Sequence, residues 1–242
     1  MGWKPCKIFK ENIAYMIEKL RYYKVLMQSL LFNLRFLPFQ QAKHLPILLY
    51  NPHLIDCTGG VEIKSGNIYR GMIKLGIPLT PKYPQNGITL EIRGKLVFRG
   101  SCTIGNDSFI SVGKLGRLTI GNNLIVTAAM KVVCAKSITI GDNVLLGWET
   151  TLMDTSFHPL FNRESNSFME ATREIVIGDN NWTGMQTLVM PGVITPPNCV
   201  FGARSVVTRN GQYQSYCLYG GAPIRKLKSN VERIHGHDNI VY

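Results

Sequence analysis

The chain has 242 residues, of which 45% are hydrophobic and 17% charged, with a formal net charge of +12. That balance can bury a good core and suits one elongated domain better than two independent ones. The basic excess invites nucleic acid as a partner, but no aromatic-basic interleaving or recognition motif accompanies it, so that class is set aside.

The first element is helical. Ile13, Ile17, Leu20, Tyr23, Met27, Leu30, Leu31 and Leu34 recur at helical spacing within residues 8–37 and stop before Pro38, predicting an amphipathic helix or helical pair in an N-terminal segment 1–50. Lys4, Lys7, Lys10, Lys19, Arg21, Lys24, Arg35 and Lys43 outnumber Glu11 and Glu18 there, eight to two. Two roles suit the segment. It packs on the end of the following domain and covers an open sheet edge, the preferred role, or it lies on an anionic membrane surface that carries a lipid-linked acceptor. Gln28, Ser29, Asn33 and Arg35 interrupt its most apolar stretch, so a membrane span is not expected.

No small-residue cleavage site follows the N-terminal Met-Gly-Trp-Lys-Pro-Cys-Lys, so no secretory signal peptide is expected. Cys6, Cys57, Cys102, Cys134, Cys199 and Cys217 are scattered without a Cys-x-x-Cys pair. They read as reduced thiols of a cytoplasmic protein, with no structural zinc.

Residues 50–90 hold short β-type runs among Pro and Gly and read as the irregular start of the main domain, 51–228. A repeat then takes over. From Ile177 to Thr208 the sequence runs IGDNNW, TGMQTL, VMPGVI, TPPNCV, FGARSV, VT. Position one (Ile177, Thr183, Val189, Thr195, Phe201, Val207) is apolar or β-branched, and position five (Asn181, Thr187, Val193, Cys199, Ser205) is small. A six-residue unit cannot bury a face alone, so its copies must coil and stack, three to a triangular turn of parallel strands. The same phase appears at Ile104, at Ile120, Val126 and Val132, and at Ile140, Leu146 and Leu152. Ile-Gly-Asn/Asp-Asn recurs at Ile120, Ile140 and Ile177, and as Ile-Gly-Asn-Asp at Ile104, where Gly and Asn are expected to supply the positive φ of sharp corners.

Between Leu152 and Ile175 the hexads stop for LMDTSFHPLFNRESNSFMEATREI. A compact array does not carry such a loop, 155–174, without a use. Its one histidine, His158, suits general-base work near neutral pH. Asp154, four residues earlier, is a candidate to hold the imidazole's tautomer. A C-terminal tail, 229–242, completes the chain.

The hexads resemble those of the hexapeptide-repeat acyltransferases, strongly over 140–228 and more weakly before residue 104. The resemblance implies a mainly β fold, a left-handed parallel β-helix with an N-terminal helical segment and a protruding active-site loop. The left-handed sense comes from the resemblance alone, since the general rule for parallel crossovers favours the right-handed one. His158-Pro159, with Trp182 following 24 residues later, is similar to the galactoside and maltose O-acetyltransferases, in which that histidine is the base. The run NLRFLPFQQAKHLPILLY followed by GMIKLG resembles acetyltransferases of surface-polysaccharide assembly.

The same resemblance implies acetyl-CoA as the co-substrate, with no metal. It puts the contacts to acetyl-CoA on Trp182, Gly184, Met185, Ala203, Thr208, Arg209, Arg225 and Lys228, and it has Trp148 and Trp182 line the acceptor pocket. Met185 replaces the usual small residue, Ile224 the usual Ala or Cys, and Ser156 a second acidic residue. By the same resemblance the sites lie between subunits of a homotrimer. The activity it implies is O-acetyl transfer to a sugar hydroxyl of a surface polysaccharide or its precursor, in the cytoplasm or at the inner face of the membrane. Alternatives are an amino sugar, serine or drug acceptor, or a non-catalytic scaffold. A zinc carbonic anhydrase on the same coil needs three corner histidines, and only His158 is at hand.

Overall fold

The computed structural model describes residues 7–80 and 82–236; of 7–15, 17 and 18 it describes the helical backbone alone. Lys4, Cys6 and the last six residues of the tail lie outside the described residues, as do the side chains of Lys7, Lys10, Glu11, Ile13, Ile17 and Glu18.

From Ile47 onward the chain winds through three parallel sheets in turn. Among the described residues the first sheet has nine strands, the second seven and the third five. Ile47–Leu49 already pairs with Ile73–Ile77, so the coil starts before residue 51. The hexad phase holds in space. Ile120 pairs with Ile140 and Ile140 with Ile177, so the whole insertion 154–174 is accommodated without a slip of register. Every position-one residue from Ile177 to Val207 is at most 3% exposed, and every position-five residue from Asn181 to Ser205 is fully buried. Each fully buried Val, Leu, Ile or Phe contributes about 1.5–3 kcal/mol. Small polar groups at position five are satisfied locally: Thr187 Oγ1 donates to Gly184 O (2.9 Å) and Ser205 Oγ to Gly202 O (2.6 Å).

The Ile-Gly-Asn/Asp-Asn motifs divide their work differently from expectation. Positive φ belongs to the fourth residue, at Asp107, Asn123, Asn143 and Asn180. The glycine serves close approach between turns. A Cβ on Gly141 would collide with Asp179 Oδ1 and sit 2.7 Å from its backbone nitrogen.

The N-terminal segment forms one long helix, α1 (Lys7–Phe36), then a single turn, α2 (Phe39–Ala42). α1 closes the starting edge of the first sheet with side chains. Asn33 Nδ2 donates to Ile47 O (2.7 Å) while Ile47 N–H donates to Asn33 Oδ1 (3.1 Å), and Leu49 N–H donates to Ser29 Oγ (2.8 Å). One amide thus offers an edge strand the donor and acceptor that a neighbouring strand would. The docking face is Ser29, Phe32 and Asn33, all buried. Of the stripe predicted from spacing, Leu20, Tyr23, Met27, Leu30, Leu31 and Leu34 stay exposed. At the far end Arg225–Ser229 folds back antiparallel on Cys217–Gly220, and Phe201, Tyr213 and Tyr219 cluster beneath it.

Candidate functional site

The loop 155–174 is an arm. Phe161–Asn162 pairs antiparallel with Ser167–Phe168, the two phenyl rings meet edge to face at 5.1 Å, and Thr155 bridges Thr172 at the root. His158 is exposed on the first limb, following Phe157, whose φ is 59°. Its backbone oxygen accepts from Ser156 Oγ (3.2 Å), and among the described residues nothing bonds its ring. Phe157, Leu160 and Phe168 are 64%, 68% and 71% exposed, so the arm carries apolar surface that this protomer leaves uncovered.

Asp154 does not orient His158. It is fully buried, and its carboxylate accepts three backbone N–H groups of the preceding turn, Ala135 (2.7 Å), Lys136 (2.8 Å) and Ser137 (2.8 Å). Its own carbonyl accepts from Arg173 N–H (2.8 Å), tying both feet of the arm together. The carboxylate holds the corner from which the arm leaves. Beneath it, burial chiefly, then the Asp154 charge, pushes the Cys134 thiol up to about 12.

The other expected residues lie on two edges of the prism. Trp182 opens a strand of the first sheet, and Gly184 and Met185 turn the corner into the second. Thr183 pairs with Phe201, and Arg204 N–H donates to Met185 O, which puts Ala203 one turn along from Met185. Gln186 N–H donates to Trp148 O, so Trp148 tops the same column. Gly184 is required by packing, since a Cβ would lie 2.5 Å from Ala203 N. The arm leaves the opposite edge of the second sheet, where Leu152 pairs with Val189 and Val189 with Val207, so Thr208 and Arg209 share the edge of Asp154. Met185 and Met190 mark the two edges, on either side of the strand Leu188–Val189. His158 and Trp182 therefore rise from different edges of one protomer.

Thr208 is fixed by Tyr213, whose hydroxyl accepts its N–H (3.0 Å) and donates to its carbonyl (2.7 Å). Arg209 is exposed beside Gly192, whose other neighbour is Arg173. Arg225 and Lys228 are exposed on the returning strand.

Spacing in sequence concealed one polar constellation. Tyr83 OH donates to Glu149 Oε1 (2.6 Å), Gln186 Nε2 to Glu149 Oε2 (2.7 Å), and Arg204 Nε to Gln186 Oε1 (2.8 Å). Tyr83, Glu149 and Gln186 line a cleft of about 340 Å³ with Lys131 and Asp107. Lys82 Nζ lies 4.7 Å over the Trp148 ring, and Tyr83 meets that ring at 6.2 Å. The Tyr83 hydrogen bond, then that of Gln186, holds Glu149 below the usual carboxylate range. Burial first, then Glu149, pushes Tyr83 up to about 12. Partners 66 and 37 residues apart leave no local signal.

The galactoside O-acetyltransferase of Escherichia coli strain K12 is 31% identical over 150 residues, 60% of this chain and 71% of that enzyme. The chain belongs to the hexapeptide-repeat acetyltransferases. With membership comes the left-handed sense of the coil. The polysialic acid O-acetyltransferase of Escherichia coli O1:K1 is another relative, 28% identical over 119 residues, 49% of this chain and 38% of that one. This chain spans less than half of several other curated relatives. The solved structure of the polySia-specific acetyltransferase NeuO, at 21% identity, aligns over 81% of this chain and 82% of its own, with a TM-score of 0.48. No protein-family profile matches the chain. Among the described residues no group of His, Cys, Asp or Glu is placed to hold a metal ion, and no helix is long and apolar enough to cross a membrane.

Proposed function

We propose that the protein transfers acetyl from acetyl-CoA to a sugar hydroxyl of a surface polysaccharide or its precursor, with His158 as general base in a site shared between subunits of a homotrimer. The observation that carries this reading is the exposed His158 on an arm that leaves one edge of the coil, while Trp182, Met185 and Ala203 occupy the other. A second subunit, placing its column of Trp182, Met185 and Ala203 against the arm, completes such a site and covers Phe157, Leu160 and Phe168.

In the reaction His158 takes the proton of the acceptor hydroxyl as its oxygen attacks the thioester carbonyl. The new O–C bond forms, the C–S bond breaks, and the imidazolium returns the proton to the departing thiolate. General-base help of this kind supplies typically about 10²–10⁴-fold. Thr208, Arg209, Arg225 and Lys228 are the groups assigned to the donor, the cations pairing with its phosphates. The acceptor class rests on the sugar-acting relatives.

The test is acceptor-dependent thiol release from acetyl-CoA by wild type and His158→Ala, against sugars, sugar nucleotides, a lipid-linked oligosaccharide extract, amines and chloramphenicol. Sugar-dependent release that falls about 10²-fold or more in the variant is the expected result. Absence of acetyl-CoA binding by calorimetry would sink the reading, and turnover on amines or chloramphenicol alone would replace its acceptor.

A further inference from the structure

Among the described residues nothing covers the face of α1 opposite its docking face. Ser29, Phe32 and Asn33 seat the helix across the open end of the coil. At 100° per residue, Leu20, Tyr23, Met27, Leu30, Leu31 and Leu34 form a second stripe on the far side. These six are 40–66% exposed, and Phe39 of α2, 70% exposed, shares a groove with Met27, Leu30 and Leu34. Scattered single apolar residues are normal on a protein surface, whereas a continuous stripe of this length marks an interaction site.

The flanks say what it meets. Among the described residues the two grooves beside α1 present Arg21, Lys24, Lys43 and Arg70 and no carboxylate. A second copy of the stripe would bring like charges together. Anionic lipid headgroups match the cations while acyl chains take the apolar side chains. The helix falls short of a membrane span, so it would lie along the interface. Because α1 covers the coil's end and not a sheet, its outer face points along the coil axis, away from the other turns. Copies packed side by side would present their stripes to one plane, where several weak contacts add.

We propose that this face of α1, with Phe39, is a peripheral docking surface for anionic phospholipid membranes. The proposal does not depend on the acetyl-transfer reading, and its test reads binding alone. Full-length protein is floated with vesicles of phosphatidylcholine, with or without phosphatidylserine, at low and high salt. Wild type is expected to float with the anionic vesicles, less so at high salt, and to stay behind with neutral ones. Leu20→Gln/Leu31→Gln, at two exposed positions, is expected to keep the wild-type melting curve and lose about tenfold or more in partition. Arg21→Gln/Lys24→Gln should lose the preference for anionic lipid. Wild type that fails to float, or a Leu20→Gln/Leu31→Gln protein that floats as well as wild type, overturns the proposal. So does a change in sedimented oligomer size in that variant, which would assign the stripe to a second copy.

Discussion

The coil and the arm that interrupts it follow opposite rules. In the coil, each residue's place is fixed by the turn above and the turn below, and the same position is filled again a turn later, as at Ile120, Ile140 and Ile177. In the arm, a two-strand hairpin, a few hydrogen bonds at the root and the Lys136–Glu170 pair hold twenty residues, with large apolar side chains in solvent. On the proposed reading the coil supplies stability and the donor contacts while the arm supplies the base, and Asp154 stands at the seam. Changes in the arm should therefore separate activity from folding, and changes in the coil should not.

The largest expected effect is on turnover. His158→Ala should lose about 10²–10⁴-fold in rate while its melting temperature stays at the wild-type value, because among the described residues nothing bonds the ring; a lowered melting temperature would mean the arm supports the coil. Next, Asp154→Asn should cost about 3 kcal/mol or more in denaturant unfolding, since an amide cannot accept from all three N–H groups that the carboxylate now holds. An unchanged stability with a displaced pH-rate profile would return Asp154 to a role at His158. Gly141→Ala, deep in the coil, should cost about 1–3 kcal/mol by forcing two turns apart. Measured stability equal to wild type would show the turns to be looser than their spacing implies.

The smallest effect is spectroscopic. Tyr83 should ionise near 12 in an ultraviolet titration, and Glu149→Gln should move it back toward 10, since both burial and the carboxylate raise it. A phenol raised in the folded state weakens folding only as pH climbs from about 10 through 12. Glu149, held low, contributes above its ordinary carboxylate range, and that contribution is lost as pH falls through its folded value.

What could be read from the sequence was whatever repeats at short range. Positions one and five of the hexads from Ile177 to Thr208 came out buried as their chemistry demands. The glycines were legible as special but not in their reason, because the neighbour that excludes a Cβ at Gly141 is Asp179, a turn away across the inserted arm. Asp154 misled for the same cause: four residues separate it from His158, yet its partners lie 17 to 19 residues back. α1 showed its periodicity and hid its orientation, since the face that docks is built around Ser29 and Asn33 while the apolar stripe faces out. Tyr83, Glu149 and Gln186 meet only because the coil stacks their segments.

The two ends of the coil carry a consequence for how the protein keeps to itself in a crowded solution. A stack of parallel hexads has no intrinsic length, and a bare end would accept another chain's strand and grow into a filament. At one end the Asn33 amide occupies both backbone groups of Ile47; at the other, Arg225–Ser229 runs backwards and ends the parallel order. Replacing Asn33 by leucine would leave a sticky terminus on every molecule, and fibrils would be its first visible symptom.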